Sequence, residues 1–103
     1  MRIEILKKKY TKIANDFEDQ KVHTEFGTVR SGELAGTYEI INILESISNE
    51  SIISDVIKEI KISANEERRQ ANEMNELGEK GWEASHNAKA NMLEGFTLEL
   101  ENI

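Results

Sequence analysis

The residue types that perform most enzyme chemistry are sparse in this chain. It holds two histidines, His23 and His86, and no cysteine, so thiolate nucleophiles, disulfides and thiolate metal sites are excluded. Ser85 and His86 are sequence neighbours, and successive residues on a helix point about 100° apart, the wrong geometry for a hydroxyl nucleophile and its base. No Gly-x-Ser-x-Gly elbow occurs, and none of the six glycines builds a phosphate-cradling loop. Glu83 precedes His86 by the Glu-x-x-His spacing with which helical bundles hold metal ions, but such centres repeat the motif and this one stands alone. The reading is a non-enzyme with no catalytic residue, no metal site and no cofactor.

Two charged clusters remain as candidate binding surfaces. The first is acidic: Glu66, Glu67, Glu73, Glu76, Glu79 and Glu83. Glu66 and Glu73 project close together on a helix, and Glu76, Glu79 and Glu83 continue at three-to-four spacing, a slowly drifting ribbon of negative charge. Lys80 interrupts it, and Gly78 and Gly81 introduce a kink or tight turn just before Trp82. Trp82 is the only tryptophan. In a small helical protein a lone Trp reads first as a core anchor, and otherwise as a binding hot spot beside the acidic row. The second cluster is basic: Lys7, Lys8, Lys9 and Lys12 around Tyr10, an arrangement that suits an anionic nucleotide ligand with the ring stacked on a base. The competing reading of that cluster is a solvated helix face, with Tyr10 turned into an apolar seam.

The elements that must position these residues read as helices. The chain of 103 residues fits one small domain, and it contains no proline, the strongest helix breaker. Ile3, Leu6, Tyr10, Ile13 and Phe17 recur at 3,4,3,4 spacing, which predicts a helix over 2–20, widened by Ile5 and Ala14. Gly27, Gly32 and Gly36 among Thr24, Thr28 and Ser31 read as a connection over 21–33, with a weak strand signal at Thr24, Phe26 and Thr28. A second helix is expected over 34–47, capped by Ser31, with Leu34, Tyr38, Ile41, Leu44 and Ile47 near one face. A turn at Ser48-Asn49-Glu50-Ser51 leads to a third, 52–77, with Ile53, Val56, Ile57 and Ile60 inward and a thin line of Ala64, Ala71, Met74 and Leu77. A fourth spans 82–95, where Ala84, Ser85, Ala88 and Ala90 allow close helix approach. Residues 96–103, with Phe96, Leu98 and Leu100 alternating, suit either a final helical turn or an edge strand. The fold class is all-α, a three- or four-helix bundle or helical hairpin. The seams at 3–17 and 64–77 suggest a homodimer.

Charge bounds the partner. The net charge is −7, and because five of the thirteen bases lie in residues 1–12 beside a single acid, the remainder carries −11. Such a body repels a phosphate backbone, so direct nucleic-acid binding is disfavoured and a protein with a basic surface is the natural partner. The first residues are charged and no uncharged run approaches a membrane span, so a cytoplasmic protein with no membrane partner is expected. A short, acidic, cysteine-free helical chain with one Trp resembles the small helical-hairpin secretion partners in architecture. Their Trp-x-Gly turn lies mid-chain, whereas here Gly81-Trp82 is reversed and near the C-terminus. The function these features imply is protein binding, in concrete form a phage or mobile-element inhibitor, anti-CRISPR-like, that presents Glu66, Glu73, Glu76, Glu79, Glu83 and Trp82 to a basic groove. The alternatives are a helical chain that pairs with another, and a nucleotide binder using Lys7, Lys8, Lys9, Tyr10 and Lys12.

Overall fold

The computed structural model describes residues 2–19, 28–47 and 53–102. Among them the chain forms four α-helices and no strand: α1 (Arg2–Asp19), α2 (Val29–Ser46), α3 (Ile53–Glu76) and α4 (Lys80–Glu101). The fold is a small all-α bundle. His23, the possible strand residues Thr24 and Phe26, and the Ser48–Ser51 turn lie outside the described residues.

The apolar spacing of α1 behaves as its period dictates. Ile3, Leu6, Tyr10 and Ala14 are buried, and Ile13 and Phe17 are half-buried. Ile5 does not widen this stripe; it is exposed.

The largest departure from expectation is where α2 begins. Residues 28–33 are the cap and first turn of α2, not a connection. Thr28, rather than Ser31, is the N-cap: its hydroxyl accepts from the Ser31 N–H at 3.1 Å, while the Thr28 N–H donates to Ser31 Oγ at 3.1 Å. That reciprocal pair satisfies two N–H groups that the first helical turn leaves without partners. Gly32 and Gly36 therefore lie inside the helix, and their role there is contact. A Cβ on Gly32 would meet the Ser85 carbonyl oxygen at 2.0 Å, and one on Gly36 would meet Met92 Cβ at 2.9 Å. Two glycines four residues apart share a face, so α2 lies close against α4 along it, against backbone at Gly32 and against the Met92 side chain at Gly36. This rotates the buried face of α2 onto Gly32, Gly36, Thr37, Ile40 and Leu44, and leaves Tyr38 at the surface and Ile41 half-buried.

Helix α4 is the centre of the bundle. It packs on α3 along its length and on α2 through the glycine face. It reaches α1 where Tyr10 meets Phe96 edge-on, ring centroids 5.5 Å apart. Arg68 bonds Asn87 and Glu94 while Lys61 pairs with Glu101, so α3 runs antiparallel to α4. Gly32 against Ser85 and Gly36 against Met92 make α2 parallel to it. The core comprises Ile3, Leu6, Tyr10, Ile40, Leu44, Ile47, Ile60, Ala64, Leu93, Phe96 and Leu100. Phe96 and Leu100 are buried and Leu98 is exposed, the i, i+4 signature of a helix, so residues 96–101 continue α4 and are not an edge strand. Among the described residues no helix is long and apolar enough to cross a membrane.

Candidate functional site

The α3–α4 connection is a tight reversal. Gly78 has φ +78°, the left-handed conformation in which glycine meets no Cβ penalty. The Gly78 N–H donates to the Asn75 carbonyl at 3.1 Å and the Glu79 N–H to the Met74 carbonyl at 2.8 Å. These two bonds are a Schellman C-cap, which closes α3 and turns the chain directly into α4. Every residue from Asn75 to Trp82 is exposed at the hairpin tip. Leu77, 71% exposed, and Trp82, 41% exposed, stand there among carboxylates. Trp82 is thus not a core anchor.

The turn also divides the acidic row. Glu66, Glu73 and Glu76 are on α3, Glu79 is the N-cap of α4 without a side-chain cap bond, and Glu83 is on α4, so no continuous helical ribbon exists. Within the row, Arg69 holds both Glu66 and Glu73. Its hydrogen bonds, with a further one from Gln70, hold the Glu66 carboxyl down at about 2. Lys80 pairs with Glu83 at 3.6 Å. Glu76 and Glu79 have no ion-pair partner among the described residues, which distinguishes them from the rest of the row.

The basic cluster is engaged within the fold. Lys7 pairs with Glu4 at 3.3 Å, Lys12 with Asp16 at 3.0 Å and Lys9 with Glu99 at 2.7 Å. Tyr10 is buried and its hydroxyl donates to Glu99. Burial, reinforced by the Glu99 hydrogen bond and charge, pushes that phenol well above its usual value. Lys8 alone stands exposed without a described ion pair. The cluster does not converge on a ligand, and its aromatic ring faces inward.

Behind the tip lies a cleft of about 420 Å³ between the first half of α2, the first half of α4 and the middle of α3. Leu34, Ala35 and Tyr38 form the α2 wall, and Trp82 stands on the α4 side. Ser31 and Ser85 hydroxyls meet at 3.1 Å where the two helices touch. The inner charges are paired with one another, though Glu39 Oε2 is buried without a hydrogen bond. Glu67, whose side chain is 12% exposed, takes His86 Nδ1 at 2.6 Å on one carboxylate oxygen and Lys89 Nζ at 3.0 Å on the other. Lys89 also approaches Glu39 Oε2 at 3.8 Å, and Ser63 donates to Glu39 Oε1 at 3.3 Å. Burial alone would raise the Glu67 carboxyl, but hydrogen bonds from His86 and Lys89 outweigh it and hold the group below its ordinary value. An ionised carboxylate is acceptor only, so the shared proton sits on Nδ1 of His86, and no described residue bonds Nε2. The partner of His86 is therefore Glu67 on α3, not Glu83 of the Glu-x-x-His spacing.

Sequence reasoning placed Trp82, Glu79 and Glu83 near one another but missed the cleft. Its key members, Glu67, His86 and Lys89, come from two helices, and the only linear hint was that 86 and 89 share a helical face. Among the described residues no group of three or more histidines and carboxylates is arranged to hold a metal ion. The chain matches no protein-family model, no curated protein and no solved structure.

Proposed function

We propose that this protein is a non-enzymatic protein-binding module that docks on a basic surface of its partner through the α3–α4 hairpin tip. The observation that supports this reading is the distribution of charge pairing. Most described cations are consumed by internal ion pairs, whereas Glu76 and Glu79, like Glu45, Asp55 and Glu59, have no ion pair among the described residues, and these two stand at an exposed tip beside Leu77 and Trp82. Apolar anchors beside two uncompensated carboxylates match a basic groove: the anchors supply affinity, the carboxylates steer encounter. The concrete form of this reading is an inhibitor that occupies the basic groove of a nucleic-acid-handling protein. A nucleotide ligand on Lys7, Lys9 and Lys12 loses support, because each is already paired and Tyr10 is buried. Self-pairing through the 3–17 and 64–77 seams loses support too, since Ile3, Leu6, Tyr10, Ala64 and Ala71 are covered within the chain.

The test is capture of the partner from a lysate by the wild-type chain and by a Glu76→Lys/Glu79→Lys variant, followed by association kinetics with the captured protein. The double reversal should slow association about tenfold or more at low salt while circular dichroism stays helical. Raising salt to physiological strength should slow the wild type, because exposed charges are screened beyond about 8–10 Å. Equal on-rates for wild type and variant would exclude the tip as the docking surface.

A further inference from the structure

The cleft behind the tip has chemistry that selects its occupant, an inference that rests on the protein-docking reading above. A cation entering it would face Lys89, and the one carboxylate inside, Glu67, already holds Lys89 at 3.0 Å and His86 at 2.6 Å. An anion would face Glu67 while Lys89 is committed to carboxylates. A charged group gains nothing there and loses its hydration, so the occupant is neutral. The walls are apolar and aromatic: Leu34 and Ala35, with Tyr38 and Trp82 each about two-fifths exposed. Aromatic rings pair with other rings edge-on or offset for about 0.5–1.5 kcal/mol beyond the area they bury. One polar group is available to fix an orientation. With Nδ1–H turned to Glu67, His86 Nε2 has no described partner and is left to hydrogen-bond an occupant. The volume, about 420 Å³, admits a large side chain and its neighbour.

We infer that the cleft receives a tyrosine side chain, an aromatic ring bearing a hydroxyl, from a lysine- and arginine-rich segment of the partner protein. The flanking bases follow from the rim. Glu79, exposed and without a described ion pair, is the N-cap three residues before Trp82, and Glu76 precedes it on the same tip, so a chain that seats its ring against Trp82 lies beside uncompensated carboxylates. The two features act together: the ring supplies register in the cleft, and the bases supply attraction to the tip.

Trp82 is the only tryptophan, so its fluorescence reports the cleft directly when the probe contains tyrosine. The probes are capped peptides of sequence Lys-Lys-Tyr-Lys-Lys, Lys-Lys-Ala-Lys-Lys and Glu-Glu-Tyr-Glu-Glu, titrated against the whole chain. The first is expected to shift Trp82 emission saturably and to bind at least about tenfold more tightly than either of the others. Its amide chemical-shift changes should cluster at residues 31–38 and 82–89. An alanine peptide that binds equally well, or shifts that avoid those segments, overturns the inference. An Ala35→Phe variant, which fills the cleft from the α2 side, should lose the tyrosine preference; because the wild-type shift map is read independently, a variant that fails to fold leaves the test intact. The two readings also separate with the captured partner. If Glu76→Lys/Glu79→Lys blocks its association while Ala35→Phe leaves it unchanged, tip docking stands and the cleft assignment fails.

Discussion

A methyl group added at Gly32 would have to share space with the backbone of another helix. The nearest atom is the Ser85 carbonyl oxygen at 2.0 Å, followed by the Ser85 carbonyl carbon at 2.8 Å, and neither can swing aside as a side-chain end would. Gly32→Ala should therefore force α2 and α4 apart, with a loss of about 3 kcal/mol seen as a lower urea midpoint. Gly95 sits on the exposed side of α4 and a Cβ there meets nothing within 4 Å. Gly95→Ala should instead stabilise, by about 0.5–1 kcal/mol, because alanine is the better helix former. Opposite signs from one chemical change isolate close approach as the cause. Glu67 gives a second residue-level test. Its folded carboxyl lies below the ordinary value of 4.5, so its contribution is present above that pH and is lost as pH falls through the folded value. Glu67→Gln should cost about 1–3 kcal/mol at neutral pH, since it leaves Lys89 and His86 facing a neutral amide. The gap between variant and wild type should narrow as the pH is lowered below about 4.5, measured by chemical denaturation across that range.

Among the elements, α2 depends most on its first turn. The Thr28–Ser31 box fixes where the helix starts, and that start brings Gly32 and Gly36 onto α4. Thr28→Ala should cost about 1 kcal/mol and reduce amide protection in residues 29–32, as read by hydrogen exchange. This helix also shows the limit of the sequence reading. The stripes of α1 and α3 were legible because large apolar residues mark a face that water leaves. The start of α2 was not, because the residues that face α4 there are glycines, which carry no apolar signal and suggest a loop when seen in one dimension. Small residues in α4 announced that some helix would come close, but not which one. The candidate site divides in the same way. The reversal at Gly78, expected as a kink or tight turn, and the charged neighbours of Trp82 are local in sequence and could be foreseen. The Glu67–His86–Lys89 cluster needs α3 folded back on α4, and no spacing within either helix encodes that register.

For the molecule as a whole, α4 unites α2 and α3: it carries Phe96, Leu93 and Leu100 into the core and touches α1, which packs mainly on α2. A chain ending at Glu79 should accordingly lose cooperative unfolding altogether, with its ellipticity declining gradually in urea, rather than retain a smaller folded unit. The same arrangement has a meaning for the living sequence of events. Polypeptide leaves the ribosome from its amino end, so α1, α2 and α3 are all in existence before the helix that unites them. Until then α1 and α2 can meet only each other, and Ile40, Leu44 and Ile60 lack the Leu93, Phe96 and Leu100 side chains that complete their core. The nascent protein thus passes through an interval in which its greasy faces are open to chaperones and to its neighbours on the polysome, and that interval ends only when the fourth helix has cleared the exit tunnel.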